Sequence, residues 1–272
     1  MDNNAITLVI SGYHGDLGWV SELRIGAPQI KNVILYAKSG HNLSNLSTVD
    51  KVVYVENNGI NMYDICHYIS NNYEHLSGKF LFLKSNSFSR IPPHCNFDNV
   101  VKICNELPNI CPLEIEHPTK LPQSTKTING GFLELNNNWL SRTKLSRKYF
   151  NEFDDYMNFF FKNYKHQNYL RFPPGGNIFV DSSLISKHPK YLYESLLRTV
   201  SHHKYPIEMM YLERGLLYIL LGGLSARSQE HINVLPKVKV SKVNAMRWRI
   251  YSRLLVIAES IRPKILCNKG LD

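Results

Sequence analysis

The sequence predicts an α/β fold in which a mostly parallel central sheet is flanked by helices. Three observations lead there. Four short apolar runs, residues 6–10, 32–37, 51–55 and 79–84, have the length and the β-branched or aromatic content of buried strands. Between the third and fourth runs, Ile65, Ile69 and Tyr73 recur at four-residue spacing, which is a helical period. The 272 residues are 43% hydrophobic and 20% charged, which is ordinary globular content and excludes a disordered, collagenous or coiled-coil chain. A chain of this length buries roughly three quarters of its unfolded surface, so it needs no disulfide or metal to fold.

Taken in order, the first run ends in Ser11-Gly12-Tyr13, and a helix is expected near residues 17–23. Asn57-Asn58-Gly59 breaks the chain after the third run, and Gly78 precedes the fourth. Ligands of parallel sheets bind at the carboxyl ends of the strands. Residues 11–16, 56–61 and 84–87 are therefore expected on one rim. Residues 88–123 carry Pro92, Pro93, Pro108, Pro112, Pro118 and Pro122, and read as a surface connection with one helix at 99–106. A further strand is expected at 130–135. Residues 148–164 read as a helix with Phe150, Phe153, Met157, Phe160 and Phe161 along one side. Pro173-Pro174-Gly175-Gly176 makes a sharp loop before a strand at 177–180 and a helix at 191–200.

The helix at 208–221 contains an oddity. Met209, Leu212, Leu216, Ile219 and Leu220 form an apolar stripe, and Glu213 falls inside it. A carboxylate there must be paired, raised in pKa, or turned into a cavity. A salt bridge, with Arg214 or another basic residue, and a role in the site both remain open.

The net charge of +10 is uneven, with ten Lys/Arg against three Asp/Glu from residue 227 to the end. This divides the chain into a near-neutral body, 1–225, and a basic extension, 226–272. Within the extension, residues 244–261 read as a helix with Met246, Ile250, Leu254, Ile257 and Ile261 apolar and Arg247, Arg249 and Arg253 nearby. Such a helix suits packing on the body or peripheral contact with an anionic membrane. The pI near 9.3 raises nucleic acid as a partner, but no helix-turn-helix, RNP or zinc signature accompanies it, and none is expected. The five cysteines lack any C-x-x-C spacing, which argues against a disulfide framework or a zinc cluster and fits a reducing compartment. The apolar run at 5–10 is too short for a signal peptide, and no run approaches a membrane span of about 18 residues. A cytoplasmic protein is expected.

Five segments, in order and spacing, resemble the GT-A type of nucleotide-sugar glycosyltransferase, in a poorly characterised branch. Its first strand ends in a motif like Arg-Tyr-Asn-Glu-Asp-Leu-x-Trp, and here Ser11-Gly12-Tyr13-His14-Gly15-Asp16-Leu17-Gly18-Trp19 stands in that place. A Gly-Arg-Glu-x-x-x-Tyr-Leu-x-x-Ile helix start is similar to Gly59 through Ile69. Phe82-Leu83-Lys84-Ser85 resembles a Phe-Leu-Gln-Gly strand, Gly176-Asn177-Ile178-Phe179-Val180 a Gly-x-Phe-x-Val strand, and Tyr211-Leu212-Glu213-Arg214 a Tyr-x-x-Glu-Arg helix.

The resemblance implies a Rossmann-type sheet holding a UDP- or GDP-sugar, with a glycan, glycoprotein or lipid-linked acceptor. It places nucleotide contacts at Ser11, Gly12, Tyr13, Asp16, Gly59, Asn61 and Asp64. Diphosphate or sugar contacts fall at Lys84, Ser85, Asn86, Gly175, Gly176, Asn177, His203 and Arg214. An inverting transfer needs a base for the acceptor hydroxyl. The resemblance and the apolar stripe together nominate Glu213, ahead of Asp16 and Asp181. Many such enzymes carry a D-x-D motif for Mn2+ or Mg2+ after the fourth strand. Here that place reads Lys84-Ser85-Asn86-Ser87, which puts metal dependence in question and makes Lys84 a candidate substitute. The alternative reading is a nucleotide-sugar or carbohydrate-binding module without catalysis.

Overall fold

The computed structural model describes residues 4–89, 95–113, 124–126, 130–136 and 145–236. The N-terminal half alternates β1 (Ile6–Asp16), α1 (Trp19–Gly26), β2 (Ile30–Ser44), β3 (Lys51–Val55), α2 (Ile60–Asn72) and β4 (Lys79–Lys84). Next come α3 (Phe97–Glu106), β5 (Ile110–Pro112), β6 (Ser124–Lys126), β7 (Phe132–Leu135), α4 (Phe153–Phe160) and β8 (Tyr169–Phe172). The chain continues through β9 (Ile178–Asp181), α5 (Ser182–Ile185), α6 (Lys190–Val200), α7 (Ile207–Leu221) and α8 (Gln229–Asn233).

Six strands form the central sheet in the order β3-β2-β1-β4-β9-β5. The first four run parallel, and β9 is antiparallel to both β4 and β5. The protein is thus α/β, with a mostly parallel sheet compatible with a Rossmann-like arrangement. The strand period of two delivers side chains to both faces. Ile6, Leu8 and Ile10 of β1 join Leu81 and Leu83 of β4 in a core with α1 and α3. Val9, Phe80 and Phe82 face the opposite core, shared with α2, α4, α6 and α7. Burial on both faces explains why these strands read as continuous apolar runs. β6, β7 and β8 make a separate antiparallel sheet.

Several expectations are corrected. Residues 11–16 are strand rather than loop: after a register shift near Gly12, β1 and β2 continue past the rim, pairing His14 with Asn42 and Asp16 with Ser44. The first helix starts at Trp19 because the Asp16 carboxylate accepts from the Gly18 N–H at 2.7 Å and the Asn45 amide at 2.6 Å, fixing a turn first. The aromatic helix shrinks to α4. Upstream of it, the Lys148 and Tyr149 N–H groups donate to the Glu208 carboxylate. Downstream, Phe160 and Lys162 bond to the backbone of Arg227 and Ser225. β5 and β8 fall in stretches where the sequence showed no strand signal.

The first part of the basic extension is packed on the body. Ile232 is fully buried, and Arg198 donates to the carbonyls of Ile232 and Asn233. Residues 237–272, with the expected helix at 244–261, lie outside the described residues. Among the described residues, no helix is long and apolar enough to cross a membrane.

Candidate functional site

Because β1, β2 and β4 are parallel, their carboxyl ends share one rim, and a pocket of about 270 Å³ opens there. β1 contributes Ser11, Gly12, Tyr13 and His14, and β2 contributes Lys38. Asn57, Ile60 and Asn61 come from the turn into α2, and Lys84, Ser85 and Asn86 from the end of β4. Lys204 and Tyr205 arrive from the turn between α6 and α7. The β1 and β4 ends are laced together: the Ser85 N–H donates to the Ser11 carbonyl at 2.9 Å, and its Oγ to the His14 carbonyl at 2.8 Å. Trp19 Nε1 donates to the Ser85 carbonyl at 3.1 Å.

The turn into α2 is strained. Gly59 has φ +58°, and the β-branched Ile60 has φ +47°. A Cβ on Gly59 would stand 2.6 Å from the Val200 carbonyl oxygen, so glycine is required for space as well as for conformation. Lys38 secures this turn. Its ammonium donates to the carbonyls of Ile60 at 2.9 Å and Asn58 at 3.3 Å, and to Asp64 Oδ1 at 2.5 Å. The Lys38 and Asp64 side chains are 3% and 0% exposed. Burial lowers the Lys38 pKa, opposed by the adjacent carboxylate. Burial pushes Asp64 up to about 6, against the pull of Lys38 and of the Ser11 hydroxyl.

The glycine loop stands behind the pocket. The Asn61 amide donates to the Gly175 carbonyl, while the Gly175 N–H donates to Glu213 Oε1 at 2.5 Å. A Cβ on Gly175 would lie 2.8 Å from Lys84 Nζ, so the loop backs directly onto that side chain. Asn177 is buried, with Oδ1 accepting from the Lys84 N–H at 3.2 Å and from Ser87 Oγ at 3.3 Å.

Of the residues the sequence nominated, Ser11, Gly12, Tyr13, Asn61, Lys84, Ser85 and Asn86 line the pocket. Asp16 is held in its turn, Gly59 and Asp64 lie behind the wall, and Gly175, Gly176 and Asn177 form its backing. His203 turns Nδ1 back to the Tyr205 N–H at 3.0 Å and is not in the lining. Asp181 pairs with Lys79 at 2.7 Å, at the start of β4 and so at the far end of the sheet from the rim. The expected base and its neighbour are also elsewhere. Glu213 Oε2 pairs with Arg214, whose guanidinium reaches Glu134 Oε2 at 3.0 Å and lies over the Phe172 ring at 4.3 Å. The triad joins α7 to β7. Because α7 is buried nearly all round, Glu208 and Arg214 included, a place on its apolar stripe does not by itself set Glu213 apart.

His14, Asn57 and Ile60 lie in the segments expected on the rim without having been singled out, whereas Lys38, Lys204 and Tyr205 are lining residues outside those segments. Lys38 had a signal, since it directly follows the second predicted strand and the rim rule applies to it. Lys204 and Tyr205 had none. The described lining offers the ammonium groups of Lys38, Lys84 and Lys204 and no carboxylate. Among the described residues, no group of three or more His, Cys, Asp or Glu could hold a metal. Mn2+ and Mg2+ want carboxylate oxygens, so this donor set does not fit them and suits an anion instead. No family model and no curated protein matches the chain.

The pairing of Glu213 makes a prediction. Glu213→Gln removes a charge-assisted bond to Arg214 and weakens the one to Gly175. It is expected to cost about 1–3 kcal/mol of stability and to leave anion affinity at the pocket unchanged. Thermal melts and calorimetric titration of the same variant check both halves. A normal melt with lost turnover would instead support Glu213 as the base.

Proposed function

We propose that this chain is a GT-A-type glycosyltransferase that holds a UDP- or GDP-sugar in the rim pocket and passes the sugar to a glycan, glycoprotein or lipid-linked acceptor. The observation that carries this reading is a cation-lined pocket at the carboxyl ends of parallel strands, with no carboxylate in its described lining. A leaving diphosphate needs charge stabilisation, and lysine supplies it without a metal. Ser11 and Gly12 line the pocket, and Tyr13, 41% exposed, offers a ring face to a nucleobase.

The engagement of Glu213 with Arg214 and Gly175 favours a second reading, a module that binds nucleotide sugar or carbohydrate without transfer. One experiment addresses both. Melting temperatures are recorded with a panel of UDP- and GDP-sugars, each with EDTA and with manganese. A bound donor at a hundred times its Kd stabilises by about 2.7 kcal/mol. The expected result is a shift with at least one donor, unchanged by EDTA. Release of UDP or GDP on adding acceptor distinguishes the transferase from the module. No shift with any donor at millimolar concentration would sink both, and a shift abolished by EDTA would sink the metal-independent binding.

A further inference from the structure

The lysines of the pocket are not equivalent. Lys38 has its charge compensated by Asp64 and its protons directed to Asp64, Ile60 and Asn58. Lys204 is held differently. Its ammonium stands 5.1 Å from the Tyr13 ring centroid and 5.3 Å from that of Tyr205, and no ion pair among the described residues involves it. Cation–π attraction orients an ammonium without neutralising it. The half-buried ammonium therefore keeps its charge where it lines the pocket.

The backbone under Lys204 is fixed. The Gly59 N–H donates to the His203 carbonyl at 3.0 Å and the Ser146 N–H to the Tyr205 carbonyl at 3.3 Å. His202 pairs with the buried Glu208 at 3.1 Å. A cation on a rigid turn, aimed by two rings over a pocket with no carboxylate in its described lining, is preorganised for an anion.

We infer that Lys204, guided by Tyr13 and Tyr205, is a phosphate-binding residue of this pocket and recognises a pyrophosphate group at its mouth. The inference rests on reading the pocket as a diphosphate site, but it does not require sugar transfer. Inorganic pyrophosphate is therefore the probe, titrated calorimetrically into the full chain without divalent metal at low salt.

Wild type is expected to bind. Lys204→Met and Lys204→Gln should each weaken binding by at least about tenfold, the worth of one charge-assisted contact. Lys204→Arg should stay within about threefold of wild type. Tyr205→Leu, which removes one guiding ring, should weaken binding less than Lys204→Met does. Lys148→Met is the control, because Lys148 lies 4.9 Å over the Tyr149 ring and outside the pocket lining. It should bind as wild type does. Absence of pyrophosphate binding, or equal binding by Lys204→Met, overturns the inference. Pyrophosphate binding through Lys204 with no response to any nucleotide sugar keeps the inference and removes the glycosyltransferase reading. Donor binding indifferent to Lys204 does the reverse.

Discussion

Lys38→Met is expected to destabilise the fold by about 3–5 kcal/mol at pH 7.5, the usual cost of breaking a buried ion pair. The change leaves Asp64, fully buried, without its cation and releases the carbonyls of Asn58 and Ile60 that hold the strained turn. The loss should shrink on acidification. Burial already sets Asp64 near 6 against an ordinary 3.8, so the folded chain takes up its proton before the unfolded chain does. For such a group the cost is full above the folded pKa and disappears as pH falls toward the unfolded one. Without Lys38 the folded pKa rises further and the window opens at a higher pH. Urea melts at pH 7.5 and pH 5 measure this. A variant whose deficit is the same at both pH values would show that the stranded Asp64 charge is not its source and that the lost bonds to the Asn58 and Ile60 carbonyls are.

Arg214→Met should be of similar size, about 3–5 kcal/mol, or on the order of 10 °C in melting temperature for a chain this long. Arg214 is 5% exposed and Glu134 is 1% exposed, so truncation strands charge in the seam between α7 and β7. The sequence had placed Arg214 among the diphosphate contacts, whereas the structure places it outside the pocket lining. The folded variant at low temperature should therefore bind pyrophosphate as wild type does. A variant that melts normally and loses the anion would reinstate the contact role.

What the sequence could convey follows from what each residue answers to. β1 and β4 were legible because side chains such as Ile10, Leu81 and Phe82 are buried on one face or the other, leaving continuous apolar runs. The rim followed from parallel topology, and with it Ser11 to Tyr13 and Lys84 to Asn86. The extension of β1 and β2 past the rim was hidden, since Gly15, Asp16 and Ser44 carry no apolar signal. α7 gave a weak signal because an amphipathic argument needs a wet face, and its Glu208, Tyr211, Arg214 and Gly215 are all buried. Lys204 and Tyr205 reach the pocket only because a turn docks on Gly59, a tertiary event with no local periodicity.

The antiparallel β9 has a consequence for the order in which the chain acquires its shape during synthesis. β5 touches the sheet only through β9, and β4 has β9 as its outer neighbour. Until residues 178–181 have left the ribosome, β4 presents an open edge and β5 has no strand to join. At about 5–20 residues per second the interval between β5 and β9 lasts several seconds. That is long enough for the exposed edge of β4, with Phe80 and Phe82, to seek another chain. The same insertion means that an N-terminal fragment ending before β9 would carry most of the pocket's residues and yet have an unfinished sheet beneath them. Circular permutants that place β9 ahead of β4 in the sequence should shorten this vulnerable interval and raise the soluble yield.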